Sequence, residues 1–212
     1  MMRRAVALVG LAAALWLGIA DAQRAPLLMP LDTGAPIGFF VAEGEAGSGY
    51  RPSDLELARW ALDAWERAAG GAVRFEPAPE PEALLRIHFV QASAGQYGEM
   101  RPIRVGGRRG ADVFIRPDTD ALGPDIARLA GADPLLRETI VYLTCLHEIG
   151  HALGLGHTAN YEDVMYFFGF GGNIPEFFGR YRRRLESRDD IARLEALSAG
   201  DLAQLRALYA AR

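Results

Sequence analysis

The sequence predicts an α+β chain that stands without disulfides, and three observations lead there. Short stretches alternate apolar and polar residues at the strand period, among them Leu85, Ile87 and Phe89 on one face with Arg86 and His88 on the other. Two longer stretches repeat apolar residues at helical spacing: Leu57, Ala61, Trp65 and Ala68, and a second run that begins at Pro134. A single cysteine among 212 residues, Cys145, can form no internal bridge, so burial must carry the fold.

The elements follow in order. Two arginines, then sixteen uncharged residues from Ala5 to Ala20, then Ala20-Asp21-Ala22, read as a secretory signal peptide over residues 1–22, with an uncleaved membrane anchor as the alternative. The mature chain, 23–212, is expected to be one domain with an N-terminal part to about residue 156 and a C-terminal part over 157–212. It is expected to be secreted or periplasmic and not held at a membrane after cleavage.

After a Pro-containing lead, Ile37–Val41 is predicted as a strand. Ser53 and Glu56 have capping-box spacing, and Gly70-Gly71 should end the helix that follows. Strands are predicted over Val73–Phe75, Leu85–Phe89 and Ala111–Ile115, with Gln91–Gly110 as a loop. The long helix should start at Pro134 with Asp133 as its N-cap. Ile140, Tyr142 and Leu143 imply that it is buried.

The most informative stretch closes that helix. His147-Glu148-Ile149-Gly150-His151-Ala152-Leu153-Gly154-Leu155-Gly156-His157 holds three of the four histidines. Residues four apart share a helix face roughly 5–6 Å apart, so His147 and His151 can aim at one metal about 2.0–2.1 Å away. Glu148 sits about 100° round from His147, which suits a base acting on a water and not a ligand. Gly154 can take the left-handed cap, letting the chain turn back so that His157 supplies a third nitrogen. Three protein ligands leave a position open for chemistry. Cys145, about 200° from His147, should face away from the metal. His88, the remaining histidine, is expected as a half-exposed strand residue.

This motif, followed by Met165 eight residues after His157, resembles the metzincin zinc peptidases and within them the matrixins. Thr158 and Phe167 stand where other branches carry Asp and a metal-binding Tyr; matrixins usually have Pro where Phe167 stands. Leu197–Tyr209 is similar to the matrixin C-terminal helix, with Ser198 and Asp201 near its start. The resemblance implies a metzincin fold: a twisted mixed β-sheet with two long helices and a small C-terminal helical subdomain. It implies one zinc per chain on His147, His151 and His157, Glu148 as general base, and Met165 as the methionine turn under the metal. It also implies that Ala111–Ile115 is the sheet edge beside the cleft, where a peptide could add as a strand. The second, structural zinc of animal matrixins has no histidines in Gln91–Gly110, and no cysteine propeptide motif is present. About fourteen residues between Gln23 and the first strand leave no room for a folded prodomain.

A formal charge of −4 and a pI near 5.6 give no reason to expect nucleic acid as a partner. A peptide or protein substrate is expected, and a monomer. Asp118, Asp120 and Asp125 could hold calcium or be solvated loop carboxylates. Between Met165 and the last helix lies an aromatic and basic insert, residues 167–196. Its phenylalanines can form either a wall beside the cleft or a local mini-core, and the arginines of its basic run, Arg180, Arg182, Arg183 and Arg184, are expected to pair with Glu186, Asp189 and Asp190. The function expected is a secreted zinc endopeptidase. The alternative is a zinc-containing peptide-binding module without turnover, against which the retained Glu148 argues.

Overall fold

The computed structural model describes residues 29–91 and 97–209; residues 1–22, where a signal peptide is expected, lie outside them. Five strands, β1 (Ile37–Val41), β2 (Phe75–Pro77), β3 (Leu85–Phe89), β4 (Gly98–Val105) and β5 (Arg108–Ile115), form one sheet in the order β2-β1-β3-β5-β4. All neighbours are parallel except β4 against β5. The fold is therefore α+β with a mixed sheet, as the sequence predicts.

The edge differs from expectation. Ala111–Ile115 belongs to β5, which lies between β3 and β4, and the edge strand is β4, inside the stretch read as a loop. The physical reason is composition: β4 carries Pro102 and charges at Glu99, Arg101 and Arg104, and it is part-exposed on both faces, so no apolar alternation marks it.

Two helices occupy one side of the sheet: α1 (Asp54–Ala69) and, after the short α2 (Pro124–Ala132), the long α3 (Pro134–Leu153). α1 packs on α3, and α3 lies along β4 and β5. Trp65 is fully buried and donates its indole N–H to Leu146 O at 3.0 Å, fixing α1 against the turn of α3 that carries the motif. Large-to-small changes at such positions cost roughly 3–5 kcal/mol. Asp133 caps α3, its Oδ1 accepting from Leu135 N and Leu136 N.

The capping box at Ser53 does not form: Ser53 makes no side-chain cap. Glu56 is engaged by Arg188, and Asp54 forms a buried pair with Arg137. Its carboxylate accepts from both guanidinium nitrogens and from Arg51 N at 2.8 Å, while Arg137 Nη2 also donates to Gly49 O at 2.8 Å. Removing either partner would leave the other charge buried and unpaired, at a cost of roughly 3–5 kcal/mol.

The insert folds as α4 (Ile174–Arg182) and α5 (Asp190–Arg193), and α6 (Ala199–Tyr209) closes the described chain. The arginines of its basic run do not pair as expected: Arg180 lies near Glu162 and Arg183 pairs with Glu176. Asp190 is occupied by the backbone of Glu186 and Ser187. Arg182 reaches Asp133 at 2.8 Å, and Arg188 reaches Glu56 at 2.7 Å and Glu138 at 3.1 Å while lying over Trp60. These contacts tie the insert to the starts of α1 and α3, so it is anchored, not a free flap. Among the described residues no helix is long and apolar enough to cross a membrane.

Candidate metal centre

α3 ends where the spacing predicts. Gly154 adopts φ 105°, and Leu155 N donates to Gly150 O at 2.9 Å, a glycine-capped helix end that reverses the chain. His147, Glu148 and His151 sit in the last two turns of α3, and the reversal brings His157 back to them. The three Nε2 atoms are 3.1 Å (His147–His151), 3.0 Å (His151–His157) and 3.3 Å (His147–His157) apart.

The remaining ring nitrogens define the tautomers. His147 Nδ1 lies 2.8 Å from Val164 O and His151 Nδ1 lies 2.9 Å from Leu155 O. A carbonyl only accepts, so each Nδ1 carries the hydrogen and each Nε2 presents a lone pair. Converging lone pairs repel unless a cation lies between them, and a tetrahedral shell with arms of about 2.0–2.1 Å has edges of about 3.3 Å. The three side chains therefore fit zinc.

Burial, with His151 as the next contribution, lowers the His147 pKa to about 3; burial lowers that of His151 to about 4 and also lowers that of His157. All three are neutral at pH 7, the form a metal needs. A consequence follows for the metal-free chain. Unfolding returns these imidazoles to about 6.5, so between about pH 4 and 6.5 the unfolded chain binds more protons and stability falls as pH drops. Glu148 acts oppositely, since its carboxyl is raised to about 8 and the fold gains a proton as pH falls. From pH 7 to 5 the two deeply buried imidazoles are expected to cost about 4 kcal/mol together and Glu148 to return about 2. Urea midpoints in chelator should thus fall toward pH 5, more steeply in Glu148→Gln; a flat profile in both proteins would contradict these burial-driven shifts.

Glu148, 6% exposed, lines with the three histidines a cavity of about 460 Å³. Burial is the main cause of its raised pKa; Glu99 adds to it and Arg116 opposes it. Met165 is fully buried, and its thioether fills the space where a β-carbon on Gly150 would stand, 2.5 Å from Sδ. Gly150 is thus required by close packing below the histidine helix. Val164 N and Met165 N both donate to the buried Asp201 carboxylate at the start of α6, at 2.9 and 3.1 Å. Thr158 N donates to Met165 O, and Gly156 N donates to Gln204 Oε1. The loop bearing His157 and the turn bearing Met165 are therefore held by one helix. Phe167 stacks on His157 at 4.7 Å.

Sequence reasoning missed Gly98, Glu99, Gly150 and Arg116 as neighbours of the site. Gly98 and Glu99 had one usable signal, because Gly106-Gly107 just before a strong strand marks a two-residue hairpin and so a partner strand on its other side. His88 is half-buried on its strand and stacks on Phe114. Calcium finds no support: Asp118 caps a short 3-10 turn, Asp125 lies near Arg128, and among the described residues only the three histidines form a group able to hold a metal.

A helix that delivers two imidazoles and passes the third to a loop behind its glycine cap is the arrangement of the metzincins. Residues 51–173 match the family model described as matrixin, more than half of the chain. The chain belongs to the matrixin family, whose members are zinc metallopeptidases. No curated protein gives a significant match.

Proposed function

We propose that this chain is an exported zinc endopeptidase, with His147, His151 and His157 as the metal ligands, Met165 as the turn beneath them and Glu148 as the general base. The observation that carries this reading is the convergence of three Nε2 atoms and a buried carboxylate on one cavity bordered by an edge strand. Export rests on the signal-peptide reading of residues 1–22.

When bound, zinc supplies an acidified water and polarises the scissile carbonyl. The protein supplies the rest. β4 has its free edge toward the cleft, and a substrate in extended form adds there through main-chain hydrogen bonds, which accounts for sequence-tolerant binding. The Glu148 carboxylate takes a proton from the attacking water and hands it to the leaving amine. One buried carboxylate facing the cavity can serve both transfers in turn. Val164 O and Leu155 O hold the imidazoles in the ligating tautomer, and the buried surroundings exclude competing water.

The insert serves as both mini-core and wall. Phe177 and Phe178 are buried against each other and against Phe168, while all three line the cavity beside Leu143, Val164 and Tyr166. The lining is mostly apolar, so it selects an apolar substrate side chain. Phe168→Ala should enlarge the pocket and shift preference toward bulkier side chains by about tenfold in relative kcat/KM. An unaltered preference across a peptide library would remove the wall from this account.

The decisive assay is degradation of casein by the purified mature chain. It should be abolished by a chelator and restored by zinc, with close to one zinc per chain. Metal binding without any turnover would favour the peptide-binding module, and two tightly held zinc ions would show the ligand set to be incomplete.

A further inference from the structure

We infer that Gly98 is a positioning residue: its missing β-carbon is the space in which the Glu148 carboxylate stands. The inference rests on the reading of Glu148 as general base. Gly98 opens β4, paired with Ile115 of β5. Its φ is not among the left-handed values that several other glycines adopt, so its own backbone does not call for glycine. The neighbouring side chain does. A β-carbon there would lie 2.4 Å from Glu148 Oε1, 2.6 Å from Cγ and 2.8 Å from Cδ.

Neither party can yield freely. The contact involves the whole end of the Glu148 side chain, from Cγ outward, not a flexible tip, and that side chain is buried except where it faces the cavity. The strand is tied at Gly98 by its pairing to Ile115, after it by that of Glu99 to Phe114, and before it by Arg116 N donating to Tyr97 O at 3.1 Å. Restoring ordinary van der Waals separation needs about 1 Å of movement, and the cavity beside the carboxylate is the open side into which it can be pushed. Among the residues that surround the base, Gly98 acts through Glu148 and touches no reacting atom.

A displacement of about 1 Å at a reacting group can cost about 100-fold in rate. In the zinc-loaded full chain, Gly98→Ala should therefore lower kcat about 100-fold, with KM and zinc per chain unchanged within about threefold. Glu148→Asp withdraws the carboxylate by one methylene. It should be costly in the parent but at least about tenfold less costly when combined with Gly98→Ala, because the shorter side chain leaves room for the added methyl group. Independent, multiplying losses would overturn the inference, as would a Gly98→Ala kcat within threefold of the parent. A loss confined to KM would overturn it too, since that would mean the strand edge had moved and not the carboxylate. If Gly98→Ala does not fold, the double variant should fold and regain the parental melting midpoint; failure of both also overturns it. Glu148→Ala keeps the two readings apart. A dead Glu148→Ala with a normal Gly98→Ala removes only the positioning role, whereas an active Glu148→Ala removes the base itself.

Discussion

Glu148→Ala is expected to lower kcat/KM by about 10⁴-fold while zinc content and peptide affinity stay near those of the parent. A positioned general base is worth about 10² to 10⁴-fold, and here one carboxylate serves both proton transfers, which places the loss at the upper end. Binding should survive because the hydrogen bonds that orient the imidazoles run to Val164 O and Leu155 O, not to Glu148, and the β4 edge is untouched. Folding should survive as well. The carboxyl is buried with a pKa raised to about 8, so its removal relieves a desolvation cost in the metal-free chain. The measurements are kcat/KM on a fluorogenic peptide, zinc by atomic emission and peptide affinity by titration. Activity within tenfold of the parent would rule out the mechanism.

What the sequence disclosed about the site follows from locality. His147, Glu148 and His151 lie within five residues of one helix, where spacing alone sets direction, and Gly154 and Asp133 act on their own helix ends. Such relations need no tertiary information. β4 was hidden for the opposite reason. Its strand character comes from pairing with β5 across Gly106-Gly107, and its own residues, with Pro102 at mid-strand and both faces partly exposed, show no period. The same distinction explains the arginines of the insert. Local acidic neighbours suggested local pairs, but Arg182 and Arg188 find carboxylates on or beside α1 and α3, far away in the chain. The capping box repeats the lesson: Glu56, which would complete it, is drawn to Arg188 from 132 positions away, and Ser53 makes no side-chain cap.

Gly150 shows how a residue can be visible in a motif without its reason being visible. Nothing in the helix calls for glycine at that position, which lies between two buried or ligating residues. The requirement comes from Met165, further along the chain, whose thioether occupies the space a β-carbon would take. Asp201 then holds the turn that presents Met165, so α6 reaches the metal centre through two backbone N–H groups.

His151→Ala is expected to reduce zinc affinity by more than about 100-fold. Loss of a group that merely orients a ligand costs about 10 to 100-fold, and His151 is itself a ligand, with its Nε2 at 3.0 and 3.1 Å from the other two. Two imidazoles from His147 and His157 cannot close a tetrahedral site without recruiting waters. Thermal unfolding should report the same loss by linkage. A metal that binds only the folded chain raises its stability in proportion to the logarithm of the ratio of free metal to Kd. The melting midpoint of the parent should therefore climb with added zinc, while that of His151→Ala should stay nearly flat over the same range. In chelator the order should reverse at acid pH, because the variant no longer buries an imidazole whose pKa is held at about 4 and so is spared that proton-linked cost near pH 5. Zinc occupancy near one per chain in His151→Ala, with a midpoint that still climbs, would show that the metal is held elsewhere and that the three-histidine assignment is wrong.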